Sequence, residues 1–195
     1  MFYFEKKDMA SEYNKALVKN VRVNDGTKDV VMQPGYFAVI SGITDDDLYT
    51  TAFTRALGVP TSYLNYNGYD ATMPTAPLVD KVVVCDPATV ATATGGNGLV
   101  YRIGNETYGN ALEAGVLGKA RTMVLDDLFE LGDENFAAVP GANKYAVLTA
   151  GSFLLTPAAA IPATGFTVEI VKQVYETTGA VLATDPCYIV RVVQL

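Results

Sequence analysis

Residues Gly165 to Leu195 read "GFTVEIVKQVYETTGAVLATDPCYIVRVVQL". Phe166, Val168 and Ile170 alternate with polar residues, the period-two signature of a strand with one buried face. A turn is expected near Thr178-Gly179. A closing strand is expected from Tyr188 to Val193, carrying Ile189, Val190 and Val192 with Arg191 as their polar neighbour. Two strands joined by a loop of middling length form an antiparallel pair. This stretch decides the fold class as β.

Working outward, the same chemistry recurs. "KYAVLTAG" (Lys144–Gly151) reads as a strand, and "DKVVVCD" (Asp80–Asp86) as a buried one, being a continuous β-branched run. "ARTMVL" and "LFEL" read as short strands on either side of a turn at Asp126-Asp127. "VRV" and "DVVMQPGYFAVI" are strands broken by turn residues at Asn24-Asp25-Gly26 and Pro34-Gly35. Two helices are expected. One is short, around Ser11 to Leu17, and one lies within Gly42–Gly58, capped by Thr44, with Asp45 to Asp47 in its first turn. The run from Tyr145 to Val168 carries no charge, but its prolines and glycines interrupt it. It reads as a strand, a turn and an extended linker, not as a membrane span.

Length and composition bound the rest. A chain of 195 residues favours one domain with a core of its own. Charged residues make up only 18%, and the net charge is −7. The basic residues are scattered, without the clustered footprint that nucleic acid demands, so no nucleic-acid role is expected. Met1 to Ala10 is charged by its fifth residue and is not read as a signal peptide. Cys85 and Cys187 each adjoin an apolar run and read as buried thiols, not as a disulfide. There is no histidine. A Ser-His-Asp triad is therefore excluded, and the commonest metal ligand is missing.

Three motifs invite a chemical reading. "TGGNG" (Thr94–Gly98) is followed by the strand-like "LVYRI", with no helix and no Lys-Ser/Thr after it, so a hairpin turn explains it better than a phosphate loop. Asp45 to Asp47 lack the ligand spacing of a calcium loop. Asp126, Asp127, Glu130, Asp133 and Glu134 read as a solvated acidic rim, not as a paired-carboxylate hydrolase site. No catalytic, cofactor or metal residue is assigned. Tyr63, Tyr66 and Tyr69 fall within one Asn- and Gly-containing loop. They either present a recognition surface or pack on the β core.

The chain resembles the auxiliary head proteins of tailed bacteriophages, called decoration or cement proteins. The likeness rests on "KNVRVNDGTKDVVMQPGYFAVI" and on a later block containing Gly118, Lys119, Arg121, Leu125, Asp127, Phe129, Leu131, Gly132, Asn135 and Phe136. A closing strand pair completes it. The resemblance implies a non-enzymatic virion protein made in the host cytoplasm. It would sit on the capsid exterior and reinforce the shell, with the major capsid protein as partner; a homo-oligomer stays open. An alternative is a receptor- or glycan-binding module of a phage fibre or tail, using the Tyr63–Tyr69 loop.

The expected architecture is mainly β: a small antiparallel barrel or sandwich. An N-terminal arm covers 1–20, and a single β-rich domain covers 21–195 with a loop insertion around 44–78. The arm, carrying Glu5, Lys6, Lys7 and Asp8, is expected to grip a neighbour and not to fill a core. Candidate protein contacts are Phe2, Tyr3, Phe4, Lys6 and Lys7 in the arm, and Tyr63, Tyr66 and Tyr69 in the loop.

Overall fold

A computed structural model describes residues 2–43, 69–75, 82–86, 92–94, 100–102, 111–115, 118–177 and 184–195. The protein is mainly β, as expected. The strands are β1 (Phe4–Asp8), β2 (Val18–Asn24), β3 (Phe37–Ile43), β4 (Tyr69–Thr72), β5 (Val82–Cys85), β6 (Thr92–Thr94) and β7 (Val100–Arg102). They continue with β8 (Gly118–Thr122), β9 (Leu128–Gly132), β10 (Tyr145–Leu148), β11 (Leu155–Ala158), β12 (Thr167–Thr177) and β13 (Thr184–Gln194). A one-turn helix, α1 (Ala10–Tyr13), and a 3-10 turn (Lys15–Leu17) fall where the short helix is expected. No helix among the described residues is long and apolar enough to cross a membrane.

Two bodies share the work. One is a closed barrel in the order β2-β4-β3-β5-β8, and the other a six-stranded sheet in the order β1-β9-β13-β12-β10-β11. The barrel is antiparallel except where β2 meets β4. Its interior holds Val21, Val23, Ala38, Ala71, Val83, Cys85 and Ala120, all buried. A five-stranded barrel has little room inside, which is why alanine and valine line it.

The continuous apolar run of β5 has a clear cause. Val83 and Cys85 point into the barrel, while Val82 and Val84 point outward and join a second core beneath the six-stranded sheet. Phe37 on β3 does the same, paired in register with Val84. The sheet answers with Phe129, Leu131, Val168, Val190 and Val192, all fully buried. The closing pair is present: β12 and β13 are antiparallel, with Val168 opposite Val192 and Ile170 opposite Val190. β6 and β7 also pair antiparallel, and the "GGNG" stretch read as a hairpin turn lies outside the described residues.

Several expectations change. The region around 44–78, expected as a loop insertion, supplies β4, whose Ala71 is a fully buried part of the barrel. Residues 145–168 contain a second strand, β11, paired with β10, where a linker is expected. The turn at Asp126-Asp127 does lie between two short strands, as expected, and it carries the chain from the barrel strand β8 to the sheet strand β9. The expected arm is built into the fold. β1 pairs with β9, Met9 is fully buried in the core between the bodies, and Tyr3 is also buried. Local composition hid this, because an edge strand needs charge on its free side. The helix expected within 42–58 lies largely outside the described residues.

Candidate functional site

The N-terminal strand and the outer face of the six-stranded sheet gather the charged side chains with the most developed geometry. Asn135 secures the start of the strand. It is fully buried, and its Oδ1 accepts from the Tyr3 N–H at 3.0 Å and the Gly132 N–H at 3.1 Å. Its Nδ2 donates to the Pro34 carbonyl at 2.8 Å. One amide thus ties β1, β9 and the Pro34-Gly35 turn together. Gly35 has φ +76°, and a Cβ there would lie 2.5 Å from Asn135 Nδ2, so both the conformation and the space require glycine.

The candidate contact residues divide between the two faces of the strand. Phe2 meets Tyr36 edge-on at 5.2 Å, and Tyr36 stacks on Phe153 at 5.0 Å. Phe4 packs on Phe129, with centroids 5.8 Å apart. The Tyr3 hydroxyl donates to Glu5 Oε2 at 2.6 Å. Lys6 pairs with Glu12 at 3.3 Å. Lys7 bridges two carboxylates, Glu5 and Glu130, each at 2.9 Å. Burial alone would raise the Glu5 pKa, but the Tyr3 hydroxyl and the Lys7 ammonium outweigh it and hold it below its ordinary value. Burial alone would lower the Lys7 pKa, and its two carboxylate partners reverse that and raise it. Tyr69 stands apart on barrel strand β4, with Lys19 Nζ 5.6 Å from its ring centroid. Tyr63 and Tyr66 lie outside the described residues.

The acidic cluster read as a solvated rim is partly interior. Asp126 is exposed, but Asp127 and Glu130 are buried, at 2% and 1% exposure. Asp127 Oδ1 accepts from the Ala10 N–H at 2.7 Å, at the start of α1, and Oδ2 from the Val124 N–H at 2.8 Å. Burial raises its pKa, against the pull of those two bonds. Glu130 Oε2 is held by Lys7, while its Oε1 has no hydrogen-bond partner. Sequence parity places Glu130 away from the core face. It gives no sign that β1 and β13 on either side would bury it.

Beside this pair runs a groove of about 630 Å3 on the sheet's outer face. Arg191 pairs with Glu169 across it at 2.5 Å, and Asp8, Asp126, Leu128 and Lys144 complete its polar and apolar walls. Among the described residues no three side chains of metal-ligating type converge. Comparison with protein-family models, with curated proteins and with solved structures finds no match. The arrangement is a strand-built surface on which an arginine–glutamate pair is flanked by carboxylates and a lysine.

Proposed function

We propose that the chain is a structural virion protein that binds the outside of a phage capsid and stabilises or decorates it. One observation supports this reading above others. The block from Gly118 to Phe136, which carries the resemblance to decoration proteins, forms the passage from barrel to sheet. Its polar members are architectural. Arg121 bonds Asp86 at 2.6 Å and Ser11 at 3.2 Å, Asp127 holds the start of α1, and Asn135 ties β1 down. The likeness therefore falls on residues that set the architecture, not on an incidental loop.

Quantitative mass spectrometry of gradient-purified particles tests the proposal. A copy number comparable to that of the major capsid protein supports decoration. A few copies per particle would instead favour the fibre or tail module, and absence from particles would defeat both readings. Incubation with undecorated shells, followed by sedimentation, gives a second test. The protein is expected to travel with the shells and to raise their resistance to heat.

A further inference from the structure

Across the outer face of the six-stranded sheet, one row of residues lies in register. It runs from Asp8 on β1 through Leu128 on β9, Arg191 on β13 and Glu169 on β12 to Tyr145 on β10. Lys144, next to Tyr145, lines the same groove. At a strand spacing of about 4.8 Å, the row is roughly 19 Å long.

Charge along it is ordered. Asp8 stands at one end and Lys144 at the other, and among the described residues neither has an ion-pair partner. Between them Arg191 and Glu169 satisfy one another, and the exposed carboxylate of Asp126 lines the groove beside Arg191. The floor is apolar. Leu128 and Val171, which stands at the register shift between Ile170 and Lys172, line it, with Ile170 at its edge where that side chain packs on the core. Val171 is 53% exposed.

We propose that this face is where two copies of the chain meet about a twofold axis. In a twofold contact, a residue that touches a second residue across the axis is touched by it in return. A row that reads acid, neutral pair, base is complementary to its own reversed copy. Asp8 of each copy falls against Lys144 of the other, the apolar floors meet, and the Arg191–Glu169 pairs sit near the axis without net charge. The overall charge of −7 opposes association, but screening over about 8 Å at physiological salt leaves the local order to decide at contact.

This proposal is independent of the virion reading, and a charge swap tests it. Sedimentation equilibrium of the full chain is expected to show a dimer. Asp8→Lys alone, or Lys144→Glu alone, turns two attractive contacts into two repulsive ones and is expected to weaken the dimer by about tenfold or more. The double variant Asp8→Lys/Lys144→Glu restores both contacts with reversed sign and is expected to return to within about threefold of the parent. Both positions are exposed, and melting curves of each variant confirm that the fold is intact. A monomeric parent, single variants without effect, or a double variant as weak as the singles would each overturn the proposal.

Discussion

Buried polar residues do more of the joining in this protein than their number suggests. Asn135 satisfies two backbone donors and one carbonyl from three separate segments. Asn135→Ala takes this partner from the Tyr3 N–H and the Pro34 carbonyl, while the Gly132 N–H keeps the Tyr3 carbonyl, so a loss of roughly 2–4 kcal/mol is expected in urea unfolding. The Lys7–Glu130 pair behaves differently. Removing Lys7 leaves a buried carboxylate without its counter-charge, which is expensive; the solvent around half-exposed Lys7 softens the loss. Lys7→Met is expected to cost roughly 1–3 kcal/mol. The double variant Lys7→Met/Glu130→Leu should recover most of it, since two apolar side chains replace the pair without stranding a charge. A double variant no more stable than the single would show that the pair itself stabilises the sheet.

At the scale of elements, the N-terminal strand is part of the fold. Deleting residues 1–9 removes the β1–β9 ladder, the Tyr3–Asn135 bond and the burial of Tyr3 and Met9. Burying each of those two side chains is worth roughly 1.5–3 kcal/mol. The truncated protein is therefore expected to melt far lower or to lose its near-ultraviolet dichroism; unchanged melting would return the segment to the status of an arm. The turn after β2 makes a pH prediction. Asp25 Oδ1 accepts from the Thr27 N–H, the Thr27 hydroxyl and the Lys28 N–H, and these bonds hold its pKa at about 2 against an ordinary 3.8. A depressed carboxylate stabilises the folded turn above its ordinary pKa, and the contribution fades as pH falls through the folded value. The Thr27 and Lys28 amide resonances should accordingly hold steady down to pH 3.8 and move together as pH approaches about 2. Movement centred near 3.8 would show that the bonds do not persist in solution.

The whole molecule is coupled through strands that serve two cores. β3 and β5 each give one face to the barrel and the other to the sheet, so neither body can open without exposing apolar surface on the other. The two thiols report on the two bodies separately: Cys85 lines the barrel and Cys187 lies on β13 of the sheet, both fully buried. Burial pushes the Cys85 thiol pKa well up and keeps it unreactive in the fold. Alkylation along a denaturant series is expected to label both at the same midpoint. Earlier labelling of Cys85 would mean that the barrel unfolds on its own.

The sequence by itself determined the β class, the closing strand pair and the turns at Pro34-Gly35 and Asp126-Asp127. These follow from side-chain period and turn chemistry, which act over a few residues. Val190, expected on the closing strand, is fully buried. Only the tertiary structure decided that the strands divide between a barrel and a sheet, that β4 slips between β2 and β3, and that the N-terminal strand completes the sheet. Partner choice depends on which strands meet across long stretches of chain, and no local pattern encodes it. The same holds for the buried acids. Asp127 and Glu130 look like surface residues because their type usually is. They are interior here because distant backbone donors and Lys7 converge on them, a cost of burial that only the assembled fold offsets.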